Sequence, residues 1–374
     1  MLTALDKMIN SVKNAQEVLQ EIKNRTGRRM IGYFHPVIPE ELIYAAGFHP
    51  VRLSPNFQDS ITLGDSYLQT SLCSYLRADW DQIIKLKRSQ LDGAIIPRSC
   101  EAVTFLYQTW KRHNPYQFID YINVPWKRSD NTIGFFAKEL GRVKRNLEAF
   151  IGKEISKDAL RTAIRLYDRN RELLRKVYGL RKAKTPPISG FEAISVVMSS
   201  FLFDKMEHNG LLDQVLKELS QKPQHPNKDI RLLISGGCVI DLRLWEAIES
   251  LGALIVADDV NNGSRSFWHS VADTTKDPLE ALARGYTMVP CAFNTSIEDR
   301  FRFVSEMITE YKVNGVIFAI NRNCESEAFV YPELEKRIRQ RFQIPTLNFE
   351  TDYLMSLEPL QNRIEAFIEI LRTG

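Results

Sequence analysis

Short apolar runs alternate with longer amphipathic stretches along most of the 374-residue chain. "MIGYF" reads as a buried strand, "PEELIYAAG" as a helix opened by Pro39 and closed by Gly47, and "PVRLS" as the next strand. "TSLCSYLRADWDQIIKLK" has helical spacing and carries Cys73 in its first turns. "GAIIP" is an apolar run suited to a strand covered on both faces, followed by a helix in "TFLYQTWKRH" and a strand in "FIDYINVP". Ahead of all of these, Leu2, Leu5, Met8, Ile9, Val12, Val18, Leu19 and Ile22 are spaced for one face of a helix.

The rhythm changes between Thr132 and about Leu219, where long charged helical patterns such as "KDALRTAIRLYDRNRELLRKVYGLRK" replace the alternation. The polar, proline-bearing "SQKPQHPNKD" then marks a boundary. Beyond it the alternation resumes with strands in "IRLLISG", "ALIVADD", "GVIFAI" and "PTLNFE", separated by helical stretches and closed by "LEPLQNRIEAFIEIL". Strands alternating with helices predict parallel sheets of the α/β class. The plan of "GYFHPVIPEELIYAAGFHPVRL" repeats in "ISGGCVIDLRLWEAIESLGALIV": strand, turn, helix, glycine, strand. The expected organisation is therefore an N-terminal helix (1–28), a first α/β unit (29–131), a helical connector (132–228) and a second α/β unit (229–374). The length agrees, because single cores rarely grow beyond about 250–300 residues.

With 44% apolar and 26% charged residues, the composition is that of an ordinary globular chain. A net charge of +4, with basic and acidic residues interleaved, gives no concentrated stripe for nucleic acid. No run of about 18 apolar residues would span a membrane. The first helix lacks the uninterrupted apolar core of a signal peptide. Five cysteines with no CxxC do not form a disulfide framework, and the cytoplasm is the expected compartment.

Two of those cysteines sit in matching contexts, Cys100 in "GAIIPRSCEA" and Cys324 in "GVIFAINRNCESEA". Each follows a predicted strand within a few residues, and open parallel sheets bind ligands beyond the carboxyl ends of their strands. If the two units face each other, both cysteines meet across a cleft that Cys73 can enter from its helix start, where the helix dipole favours a thiolate. Three converging thiolates indicate zinc, copper(I) or an iron-sulfur cluster. Spacings of 27 and 224 residues match no compact zinc clip, whereas a cubane cluster tolerates ligands far apart in sequence. A single cysteine taken alone is more often a small buried hydrophobe. Cys238 and Cys291 fit that structural role better, although Cys238 also follows a strand.

His35 follows the first strand at the same edge, as a proton donor, a substrate contact or a histidine satisfied by nearby backbone. Arg98 and Arg322 either hold an anionic substrate and tune a cluster or pair with adjacent glutamates, and Phe267, Trp268 and Tyr353 read as core. There is no GxxxxGK[ST], no GxGxxG after a strand and no GxSxG, so the chain is not expected to hydrolyse ATP through a P-loop.

The segments "GYFHPVIPEELIYAAGFHPVRL", "DGAIIPRSCEA", "VADDVNNGSRSFW", "DPLEALARGY" and "NGVIFAINRNCESEAFVYPELEKRI", with the Cys73 helix, resemble in order the smaller subunits of the benzoyl-CoA reductase and 2-hydroxyacyl-CoA dehydratase family. That resemblance covers nearly the whole chain. It implies two flavodoxin-like domains that hold one 4Fe-4S cluster through Cys73, Cys100 and Cys324. It also implies a homologous second iron-sulfur subunit, an acyl-CoA substrate and a separate activator that hydrolyses ATP to deliver low-potential electrons. In the reductase branch an aromatic ring takes up two electrons and two protons. In the dehydratase branch a ketyl radical expels the 2-hydroxyl as water. "NNGSRSFW" and its aromatic surroundings look closer to the reductase branch. Where His35 stands, many relatives carry a small polar residue or cysteine, which leaves the proton donor open. A double-cubane reductase, with Cys238 and Cys291 as spare ligands, and a non-catalytic cluster-binding protein are the competing readings.

Overall fold

The structure is a computed structural model that describes residues 2–54, 60–85, 91–113, 117–221, 229–271, 277–293 and 295–373. Among these, eight strands form two sheets: β1 Met30–Tyr33, β2 His49–Arg52, β3 Leu91–Arg98 and β4 Phe118–Asn123 in the first, β5 Ile230–Gly236, β6 Ala253–Asp259, β7 Gly315–Asn321 and β8 Thr346–Thr351 in the second. Their spatial orders are β2-β1-β3-β4 and β6-β5-β7-β8, and every pairing is parallel. The predicted α/β class and the internal repeat are thus both present, strand for strand.

Parallel sheets are covered on both faces, which requires strands that are apolar on both sides. β5 and β7 are buried along their whole length, with Arg231, Ser235 and Asn321 the polar exceptions among apolar residues. Successive residues of each central strand enter different cores, as the two-residue period of a strand demands. Met30, Ala94 and Ile96 pack on one side of the first sheet, and Ile31 and Ile95 on the other. In the second sheet Leu232, Ile234 and Ala319 pack on one side, and Leu233, Val316 and Phe318 on the other.

The N-terminal span, expected as one helix, is two: Ala4–Lys13 and Ala15–Thr26. Asn14 separates them at φ −118° and ψ 40°, its side-chain amide donating to the Asn10 carbonyl at 3.0 Å. Local hydrogen bonding of this kind lets asparagine end a helix that the apolar spacing would continue.

The connector contains helices Asp130–Ile151, Lys157–Gly179, Gly190–Ser199 and Lys205–Gln221. Serines start three of them: Ser129 and Ser189 form capping boxes with Thr132 and Glu192, and the Ser156 hydroxyl accepts from the Ala159 amide. The predicted boundary after this block falls mostly at 222–228, outside the described residues. Helix Lys157–Gly179 ties the sheets together. Its Arg171 donates to Glu41 at 2.6 Å and to the Tyr286 hydroxyl at 2.9 Å, while its Tyr178 hydroxyl donates to Asp258 of β6 at 2.7 Å. Chain order and packing order also part company: helix Pro278–Tyr286, with Val289 and Cys291, lies in the core that covers the first sheet.

His208, in the last connector helix, is buried between Asn170, whose amide donates to Nδ1 at 2.8 Å, and Ser199, whose hydroxyl lies 3.0 Å from Nε2. Burial and nearby Lys205 lower its pKa to about 3. The folded protein therefore refuses a proton that the unfolded chain accepts below about pH 6.5. Stability is unaffected by this group above that pH and falls by about 1.4 kcal/mol per pH unit below it. In urea titrations, His208→Gln is expected to remove about 1.4 kcal/mol of the stability lost between pH 7.5 and 5.5; an unchanged slope would place the proton elsewhere.

Candidate functional site

In each sheet the strand order reverses between the two central strands, the position where open α/β sheets form a crevice beyond their carboxyl ends. The first sheet carries His35 two residues after β1 and Cys100 two residues after β3. The second carries Cys238 two residues after β5 and Cys324 three residues after β7. The loops face one another, and all four side chains, together with Cys73, line one cavity of about 430 Å³. Phe34, Leu53, Leu76 and Phe201 supply apolar wall.

Cys73, Cys100 and Cys324 share a local device. Each stands immediately before a helix, at Ser74–Lys85, Glu101–His113 and Glu325–Phe342 respectively. Their carbonyls accept the first helical bonds, from Arg77 at 3.2 Å, Thr104 at 3.2 Å and Ala328 at 3.0 Å. Each cysteine thereby stands beside the amides that a helix start leaves unpaired. Backbone N–H groups of Leu76 and Tyr75 favour the thiolate of Cys73, those of Val103 and Ala102 favour Cys100, and that of Glu327 favours Cys324. Burial is the stronger influence and pushes Cys73 up to about 12, with Cys100 raised and Cys324 raised well above an ordinary thiol. The thiols also raise one another: Cys73 feels Cys100 and Cys238, and Cys324 feels Cys73 and Cys100. On their own these groups stay protonated, and only a cation among them would hold the set as thiolates.

The helix after Cys324 is fixed from behind by four buried charges. Arg265 bridges Asp259 at 2.6 Å and Glu327 at 2.9 Å, and Arg300 bridges the same two carboxylates at 3.0 and 2.8 Å. Glu327 lies in the first turn of that helix, so the network sets the direction from which Cys324 enters the cavity. Residues so far apart in the chain gave no signal in the sequence.

Cys238 is the cysteine whose placement sequence reasoning left to the core; it lies in the cavity wall. Asn321, at the end of β7, clasps its backbone, accepting from the Cys238 amide at 3.0 Å and donating to its carbonyl at 2.9 Å. A side chain at Gly236 would stand 2.2 Å from the Ala319 carbonyl oxygen, which explains the glycine beneath this loop. The register of the internal repeat, pairing Cys238 with His35, was the available signal. Cys291 is buried in the core, as expected.

His35 has a left-handed backbone at φ 62°, uncommon for a residue with a side chain. Its ring packs edge-on against Phe293 at 5.8 Å, and its Nδ1 is buried without a partner. Burial first, and Arg52 second, lower its pKa to about 3, so it is neutral at physiological pH. Arg98 is exposed at the end of β3, and Arg322 pairs with Glu350 at 3.6 Å and Asp352 at 3.4 Å rather than with an adjacent glutamate. Phe267 and Tyr353 are buried, with Trp268 packed against the same core as Phe267.

The donor set discriminates among metals. No three histidine, cysteine or acidic side chains stand close enough to hold a single metal ion among the described residues. Soft thiol donors in largely apolar surroundings suit an iron-sulfur cluster.

Two parallel sheets whose carboxyl ends share a thiol-lined cavity define the class as a paired α/β protein with its site between the repeats. The family described as 2-hydroxyglutaryl-CoA dehydratase, D-component, matches residues 37–371. One of the benzoyl-CoA reductase subunits of Thauera aromatica is 25% identical, over 92% of this chain and 91% of its own length. A putative dehydratase subunit, YjiM, of Escherichia coli K12 is 27% identical over 99% and 100%. The (R)-phenyllactyl-CoA dehydratase beta subunit of Clostridium sporogenes is 26% identical over 98% and 99%. The chain belongs to this family of benzoyl-CoA reductase and 2-hydroxyacyl-CoA dehydratase subunits.

Asn321→Leu removes the partner of both Cys238 backbone groups. A loss of about 1–3 kcal/mol is expected in denaturant titration, with faster reaction of Cys238 toward a thiol reagent; an unchanged rate would mean the clasp does not hold this loop.

Proposed function

We propose that the chain is the cluster-bearing subunit of a benzoyl-CoA reductase type of enzyme, taking low-potential electrons from a separate ATP-hydrolysing activator for the two-electron reduction of an aromatic acyl-CoA. Cys73, Cys100 and Cys324 would hold a 4Fe-4S cluster, and a homologous iron-sulfur subunit would complete a cytoplasmic heteromer. The observation that carries this reading is the convergence of separate helix-start cysteines on one apolar cavity between the two sheets. It is supported by a relative named as a subunit of benzoyl-CoA reductase. No helix among the described residues is long and apolar enough to cross a membrane.

When bound, the cluster supplies one-electron chemistry at potentials that reach roughly −700 mV in proteins. The chain's own residues set the conditions. Amides at three helix starts donate toward the sulfurs and stabilise their negative charge. The apolar wall excludes water, which would otherwise compete for strongly reducing electrons. His35, held neutral, is not a store of a transferable proton at neutral pH.

The lining favours the reductase branch. A planar aromatic acyl group needs apolar surface, and Phe34, Leu53, Leu76 and Phe201 offer that. The dehydratase reading, elimination of the 2-hydroxyl as water, rests on a relative of equal similarity, 26% against 25%.

Two measurements test the proposal. Cys100→Ser, purified without air, should lose its bound iron, whereas Cys291→Ser should keep it; equal iron in both would remove the cysteine set from the site. The native complex with its activator, ATP and reductant should convert benzoyl-CoA to a cyclic dienoyl-CoA. Dehydration of a 2-hydroxyacyl-CoA with no ring reduction would assign the other branch.

A further inference from the structure

We propose that Cys238 supplies a fourth thiolate to the same centre, so that the cluster is ligated wholly by this chain and passes electrons without binding substrate at iron. The proposal rests on the cluster reading above and goes beyond its three-cysteine set.

Topology is the first argument. Cys238 and Cys324 follow β5 and β7, the two central strands of the second sheet, and so flank its switch point. His35 and Cys100 occupy the matching places after β1 and β3. Cys238 therefore stands at a ligand-binding position of the fold, not at an arbitrary point in its wall.

Proximity is the second. The thiols of Cys238, Cys100 and Cys324 all lie within charge range of Cys73. The Cys238 loop is also pressed against Cys324: a β-carbon at Gly237 would lie 3.8 Å from the Cys324 sulfur and 2.9 Å from the Asn321 side-chain oxygen. Asn321 binds both backbone groups of Cys238 and ends the strand that leads to Cys324, so one side chain links the two cysteine loops.

Chemistry is the third. A structural thiol would be buried among hydrophobes, as Cys291 is at 2% exposure, whereas Cys238 is partly open to the cavity. The Asn261 side chain hydrogen-bonds its thiol, and Arg52 supplies a nearby positive charge. Arg52 is itself fixed by donation to the Asn261 carbonyl at 2.8 Å and by stacking on Phe201 at 4.6 Å. On ligation the thiol gives up its proton and its sulfur bonds to iron, with no change in oxidation state. A cluster held by three cysteines keeps one iron with an exchangeable position, and a fourth thiolate removes it. Reduction of an aromatic ring requires electron delivery and no iron-bound oxygen, so the closed centre agrees with the reductase branch.

The test compares the wild-type chain with Cys238→Ser, both purified without air, by iron content and electron paramagnetic resonance. An iron lacking a thiolate is lost on mild ferricyanide oxidation, leaving a 3Fe-4S signal, and it binds added cyanide. Wild-type protein is expected to retain about four irons per chain, to give no such signal and to be unmoved by cyanide; the variant is expected to acquire both responses. Should the variant fail to fold, the wild-type responses still decide. A wild-type centre that loses iron and binds cyanide overturns the assignment of Cys238 while leaving the three-cysteine reading intact. Wild-type protein without iron overturns both.

Discussion

Several thiols gathered in one apolar cavity form an arrangement that the protein alone cannot keep ionised. Burial raises the pKa of Cys73, Cys100, Cys238 and Cys324 alike, and neighbouring thiols raise Cys73 and Cys324 further. The fold answers with helix starts aimed at three of the sulfurs and with Arg52 beside the fourth. These features favour negative sulfur without overcoming the cost of burial, and a bound cationic group would supply the remainder. Much else in the molecule follows from holding this geometry, including the Asn321 clasp and the buried Arg265–Asp259–Arg300–Glu327 network behind Cys324.

The internal repeat makes such a site economical to build. Two sheets of identical strand order each present a crevice at their carboxyl ends, and facing them gives a cavity walled by both. Helix Lys157–Gly179 keeps the faces apposed through ion pairs and hydrogen bonds to both units. Helix Pro278–Tyr286 reinforces this by leaving its own unit to pack on the first sheet. The repeats are not chemically equivalent, however. Where one presents Cys238, the other presents His35, neutral and held in a left-handed conformation. That difference lines the cavity with sulfur at one repeat and with an uncharged imidazole at the other.

Much of this was readable from the residues. β5 and β7 announced themselves through short, largely apolar runs, as strands covered on both faces do. Cys100 and Cys324 were legible because each follows such a strand, and the rule for parallel sheets then fixes the edge on which they sit. Cys238 was harder, since a lone cysteine after a strand has the same local pattern whether it faces a core or a cavity. Asn14 was missed because its flanks keep helical spacing and only its own side-chain bonding breaks the helix. The Glu327 network left no trace, because its members meet only after folding, with residues from four separate elements.

Family membership with benzoyl-CoA reductase and 2-hydroxyacyl-CoA dehydratase subunits agrees with a site built from thiols in a sheltered cavity. The most direct measurement is anomalous X-ray scattering at the iron absorption edge from crystals grown without air. A compact iron peak is expected inside the cavity, within bonding distance of the sulfurs of Cys73, Cys100, Cys238 and Cys324. A cavity free of iron, or a peak bound by other residues, would contradict it.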